Sequence, residues 1–249
     1  MPTPFTHLET AQRMLVDEHI PPDIRSALAL EKPAFLLGNI AADARTSGDL
    51  TRESTHFYSY DKGITEHPWR VMLQRNPGLY HPNSLAHRVF VAGYVAHLTI
   101  DEVWSLQMLT PHFVNRNWGS NSFRFLMLHM LLISMDERDY RALQPWEYPT
   151  LIQTNPDHWL PFMSDRILVE WRDFISEQIA PNGHSQTLEV LGKRINKTPE
   201  ELRTTLDSPQ IQSDLWGNIT PALLATVEAD MYQQAYEQLC VYWNESESS

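Results

Sequence analysis

The chain has 249 residues with 19 Lys plus Arg against 31 Asp plus Glu, a formal net charge of −12. That length supports a large core without disulfide staples, and an apolar fraction of 42 % with 20 % charged residues excludes a disordered chain. The acidic balance argues against holding long nucleic acid through many phosphate contacts. The single cysteine, Cys240, excludes an internal disulfide and a cysteine-built zinc site, so the 11 histidines direct the search.

Helical signals dominate in chain order. Ala11, Met14 and Leu15 predict a helix over Thr10 to His19, ended by Pro21-Pro22. Pro33 opens a second through Phe35, Leu36, Leu37, Ile40 and Ala44, closing near Gly48. Pro68 opens a short one stopped by Asn76-Pro77-Gly78. Ser84 is an N-cap for the longest, Leu85 to about Leu109, stopped by Pro111. Phe123 to Met135 is apolar nearly all round and predicts a central buried helix. Prolines 145, 149, 156 and 161 mark a connection over 145–161. Further helices follow from about Ser164 to Gln178, Ser185 to Ile195, after Pro199, and Pro221 to Tyr242. Strand-type alternation is absent. The expectation is an all-α, single-domain protein over 1–249, with a metal-binding core at about 5–140 and a C-terminal helical part at 162–244. The longest apolar stretch, Phe125 to Met135, falls short of the roughly 18 residues that suggest a membrane span. Without a basic-then-apolar leader pattern, the expected location is cytoplasmic.

Phe90, Tyr94, His97, Asp101, Trp104 and Met108 follow three-four spacing and line one face of the long helix. A carboxylate on such an apolar stripe is costly unless compensated. His97 and Asp101 converge one turn apart, as a buried hydrogen-bonded pair or as two ligands of a divalent metal. Asp43 follows the small residues Gly38, Ala41 and Ala42, and is either a partner of Arg45 or Arg52 or a third ligand. His56 sits before Phe57-Tyr58, packed as an aromatic or ligating, and His7 stands ahead of the first predicted helix. Arg45, Arg52, Arg88 and Arg116 are candidates to hold a phosphate or to pair with surface carboxylates. His129 on its apolar helix reads as a core histidine; His19, His67, His81, His87, His158 and His184 read as surface residues.

The order Thr6-His7, Gly38-Asn39-Ile40-Ala41-Ala42-Asp43, Thr55-His56-Phe57 and Gly93-Tyr94-Val95-Ala96-His97-Leu98-Thr99-Ile100-Asp101 resembles the zinc-dependent phospholipase C family, whose fold is shared with fungal single-strand zinc nucleases. The resemblance covers roughly residues 5 to 105. It implies a multi-helix bundle with extra C-terminal helices here, and one zinc held by Asp43, His56, His97 and Asp101. A second zinc would share Asp101 and take His7. The third metal cluster of that family has no counterpart: the residue four after His129 is Ile133. The implied reaction is hydrolysis of a phosphate ester by a metal-activated water, with Asp43 or Asp101 as the base. The substrate would be a small phosphate ester or phospholipid. A non-catalytic metal-binding protein, and a nuclease or nucleotidase on the same scaffold, are the competing readings.

Overall fold

The computed structural model describes residues 1–48 and 50–247, and among them every regular element is helical. In chain order these are α1 (Pro4–Met14), α2 (Pro22–Leu30), α3 (Lys32–Ile40), a 3-10 segment (Ala41–Ser47), α4 (Arg52–His56), α5 (Pro68–Arg75), a 3-10 turn (Pro77–Tyr80) and α6 (Leu85–Trp104). A π-helical segment (Ser105–Asn115) leads to α7 (Asn121–Ala142), α8 (Glu147–Leu151), α9 (Asp165–Ile179), α10 (Thr187–Ile195), α11 (Pro199–Leu206), α12 (Pro209–Asn218) and α13 (Pro221–Glu247). The all-α expectation holds for these residues.

The middle of the bundle is α6, opened by the Ser84 hydroxyl accepting the His87 amide at 3.1 Å. Every residue from Val89 to Trp104 is buried, because α3 and α13 pack on it from different sides. The α3–α6 contact is unusually close and depends on two glycines. A Cβ at Gly38 would lie 2.1 Å from the Phe90 carbonyl oxygen, and one at Gly93 would lie 2.6 Å from that of Phe35. No side chain fits between these backbones, so the helices meet there at main-chain distance. α1 packs against α3 and α7, tied by the Thr6 hydroxyl donating to Asp139 at 2.7 Å. α9 packs over the 3-10 segment, where the Trp171 indole donates to the Ile40 carbonyl at 2.8 Å.

The structure differs from the sequence reading at several points. The first helix starts at Pro4, not Thr10, so His7 lies within α1. Pro22 opens α2 rather than closing a helix, since a first-turn proline forfeits no intrahelical bond. Pro111 does not stop the chain; the turns widen into the π segment around it, one of the rearrangements by which a helix absorbs an interior proline. The central helix is α6, and α7 instead leaves Phe125 50 % exposed. The proline-rich 145–161 connection contains the short α8. His87, expected at the surface, is buried, with Nε2 on the Trp159 carbonyl at 2.9 Å.

Candidate metal centre

Five side chains from four elements converge beside the Gly38–Gly93 crossing: His7 from α1, Asp43 from the 3-10 segment, His56 from the end of α4, and His97 and Asp101 from α6. His7, His56, His97 and Asp101 have no exposed side-chain surface, and Asp43 keeps 17 %. Their nitrogens and oxygens form two overlapping groups, His7–His97–Asp101 and Asp43–His56–His97, each with its ligand atoms within 4.8 Å of one another.

Local structure aims each ring. The main-chain contact at the glycines brings the Asn39 carbonyl onto His97 Nδ1 at 2.6 Å. A carbonyl only accepts, so Nδ1 carries the proton and Nε2 presents its lone pair. His56 Nδ1 meets the Thr55 hydroxyl at 2.9 Å, and that hydroxyl donates onward to the Arg52 carbonyl at 3.4 Å, leaving His56 Nε2 turned inward. The Tyr94 hydroxyl donates to the Thr55 carbonyl at 2.8 Å, fastening the end of α4 to α6. Phe57, at φ +61°, turns the chain away immediately after His56. His7 stacks on His97 with ring centroids 3.8 Å apart.

The facing distances fit ligation of a divalent cation. His56 Nε2 lies 3.5 Å from Asp43 Oδ1 and 3.3 Å from Asp101 Oδ2; His97 Nε2 is 3.4 Å from Asp101 Oδ2, and His7 Nε2 is 3.7 Å from Asp101 Oδ1. Ligands about 2.1 Å from a tetrahedral ion stand about 3.4 Å from each other. Both oxygens of Asp101 and the Nε2 atoms of His7, His56 and His97 are buried without a hydrogen-bond partner. With His7 Nδ1, that makes six orphaned buried polar atoms in one cluster, and the five facing one another are costly unless an ion satisfies them. The imidazole and carboxylate donors suit zinc and other divalent transition metals.

Protonation of His7, Asp43 and Asp101 agrees with ligation, whereas at His97 an ion has to displace the proton that the two carboxylates favour. Burial, reinforced by the neighbouring His97, pushes the His7 pKa down to about 3, so that imidazole is neutral at pH 7. Burial opposes ionisation of Asp43 and Asp101, but the adjacent His56 and His97 outweigh it and hold both carboxyls below their ordinary range. His97 is raised: burial works against its charged form, and Asp101, Asp43 and the Asn39 carbonyl together overcome it.

Asp43 also borders a cavity of about 620 Å³. Arg45, Arg52 and Arg194 line it, and the wall from α7, α9 and α10 is mostly apolar, with His129, Gln178, Thr187 and Arg194 as its polar members. Arg52 donates to the Tyr58 hydroxyl at 2.7 Å and lies 3.6 Å from Asp101 Oδ2. Of the phosphate-holding candidates, Arg45 and Arg52 reach the cavity. Arg88 instead bonds Ser246 on α13 at 2.9 Å, and Arg116 bonds the Asn218 carbonyl at 2.7 Å. Glu102 is occupied by His67 at 2.9 Å, away from the cluster. His129 is buried and borders the cavity, its Nδ1 on the Phe125 carbonyl at 2.7 Å.

Sequence reasoning did not find Asn39 or Arg194. Asn39 acts through its main-chain carbonyl, which leaves no side-chain signature. Arg194, in the last turn of α10, reads in sequence as an ordinary helix C-terminal cation. Comparison of the chain with protein-family models, with curated proteins and with solved structures finds no match. Among the described residues no helix is long and apolar enough to cross a membrane.

Proposed function

We propose that this chain is a zinc-dependent hydrolase of phosphate esters. The observation that carries the reading is the position of Asp43: four members of the cluster are sealed, while Asp43 has an edge on a cavity that also holds Arg45 and Arg52. A structural metal is closed off by protein ligands, whereas a catalytic one keeps a side open toward substrate. The phospholipase C resemblance points to the same chemistry.

Asp43, His56, His97 and Asp101 would hold the first ion, and His7 with Asp101 a second. When bound, zinc supplies Lewis-acid charge and lowers the pKa of water toward about 7. The protein's own contribution is placement. Asn39 and Thr55 hold the rings in the tautomer that offers Nε2. Arg45 and Arg52 line the same cavity and would offset negative charge developing on the phosphoryl oxygens. Asp43, the one member reaching the cavity, is the carboxylate placed to take a proton from the incoming water, while Asp101 has no exposed oxygen and acts by holding charge. Water and a phosphate ester give the alcohol and the phosphate.

The test is metal analysis of the purified chain, followed by a screen of phosphodiesters and phosphomonoesters with added zinc. Close to one or two equivalents of metal and zinc-dependent turnover are expected. A chain that retains zinc but turns over none of these esters would overturn the hydrolase reading in favour of a non-catalytic metal site.

A further inference from the structure

We propose, resting on the hydrolase reading, that the cavity beside Asp43 is a chamber for a phosphate ester bearing one apolar chain, its phosphate against Arg45 and Arg194 and its chain among Leu128, Leu132, Ile175, Val190 and Leu191.

The first argument is charge. The chain carries 31 acidic against 19 basic residues, yet three arginines line this one cavity. Arg45 and Arg194 have no carboxylate within ion-pair distance and no side-chain hydrogen bond among the described residues, and the Nε of Arg45 is buried without a partner. A half-buried Arg45 and a solvent-exposed Arg194, neither held by a carboxylate of the described residues, are suited to an anion from outside the chain, and their forked donors match phosphate.

The second argument is the distribution of polarity. Asp43, Arg45, Thr46 and Ser47 come from the 3-10 segment after α3 and Arg52 from the start of α4, and Arg194 joins them from the last turn of α10. The wall built by α7, α9 and α10 contributes Leu128, Leu132, Ile175, Val190 and Leu191. A water-filled site for a small ester needs no such wall. Apolar surface next to an anion site instead fits an amphiphile, whose two ends need different surroundings.

The third argument is size. A cavity of about 620 Å³ lies within the range of pockets that enclose one drug-sized group. That suits a single chain or fused ring better than the paired acyl chains of a bilayer lipid. Phe125 and Tyr60, each 50 % exposed, also border the cavity and provide an apolar way in.

The probes are decyl phosphonate, whose carbon–phosphorus bond resists hydrolysis, ethyl phosphonate and decanol, titrated calorimetrically into the full chain with and without zinc. Burying a methylene is worth about fourfold in affinity, so decyl phosphonate should bind at least about a hundredfold more tightly than ethyl phosphonate. It should also bind more tightly than decanol. Val190→Trp, on a half-buried face of α10, should collapse the decyl-to-ethyl ratio to near unity. Arg194→Ala, at an exposed position, should weaken decyl phosphonate about tenfold without affecting decanol. Absence of chain-length dependence, or a ratio unchanged in Val190→Trp, overturns the chamber even if the zinc-loaded chain hydrolyses short nitrophenyl phosphates. Equal affinity for diacyl phosphatidate in micelles overturns the single-chain assignment. Chain-dependent binding with no hydrolysis of any phosphate ester overturns the hydrolase reading, and leaves the chamber as a binding site for the same ligand.

Discussion

The Asn39 carbonyl accepts the Nδ1 proton of His97 at 2.6 Å, across the point where α3 and α6 touch through Gly38 and Gly93. One backbone oxygen thereby determines which His97 nitrogen faces Asp101. His97 belongs to both candidate ligand groups, so His97→Ala should remove more than the 10–100-fold in zinc affinity typical of losing only a supporting hydrogen bond. Zinc content after dialysis is the measurement; unchanged bound zinc would mean that the cluster is not the metal site.

Gly93→Ala tests the close crossing. In a solvent-exposed helix this change stabilises by up to about 1 kcal/mol through helix propensity. Here the added Cβ meets the Phe35 carbonyl oxygen at 2.6 Å, and α3 and α6 must separate. The expected net result is a loss of about 1–3 kcal/mol, the usual cost of overpacking. It should be accompanied by weaker zinc binding, because the Asn39–His97 bond spans the same contact. A urea midpoint equal to or above that of the parent chain would contradict this.

Removal of metal should destabilise the fold. Binding to the native state alone adds about 4 kcal/mol at a free zinc concentration about a thousand times Kd. A chelator should therefore lower Tm, and added zinc should restore it, in the parent but not in His97→Ala. Equal Tm values for chelated and zinc-loaded parent chain would argue that no ion binds the five residues.

Two buried acids outside the cluster predict a pH dependence. Burial pushes Asp136 from 3.8 to about 6, against the hydrogen bonds it accepts from Thr187 and Ser185. Burial pushes Glu147 from 4.5 to about 7, although its Oε1 accepts the Gln144 amide at 2.8 Å. Between their ordinary and raised values the folded chain binds more protons than the unfolded one. Their contribution to stability therefore falls as pH rises from about 4 to about 7, and levels off above that. Glu147→Gln removes one of these ionisations while keeping an acceptor for Gln144. Relative to the parent, its stability should improve by about 3 kcal/mol between about pH 4 and pH 8. Chemical denaturation at both pH values provides the comparison, and a difference independent of pH would show that Glu147 ionises normally in the fold.

What depends on helix geometry was legible along the chain. Three-four spacing placed His97 and Asp101 on one face of α6, Ser84 marked its start, and proline and apolar periodicity located most of the other long helices. The order of His7, Asp43, His56, His97 and Asp101 was legible as a metal pattern only through its resemblance to the zinc-dependent phospholipase C family, since His7, Asp43 and His56 taken singly read as a surface, an ion-paired and a packed residue. That these five meet follows from helix packing alone. Their convergence requires α3 and α6 to touch at two glycines, α1 to dock on α7 through Thr6 and Asp139, and α4 to be fastened by Tyr94. Each of these contacts joins residues remote in sequence, and no local propensity encodes them. The same holds for the cavity. Arg45 precedes Arg194 by most of the chain, and Leu128 and Val190 read separately as ordinary core positions. They share one chamber because α9 and α10 fold back over the 3-10 segment and α7. Helix periodicity says which face of a helix is apolar, but helix packing decides what that face encloses.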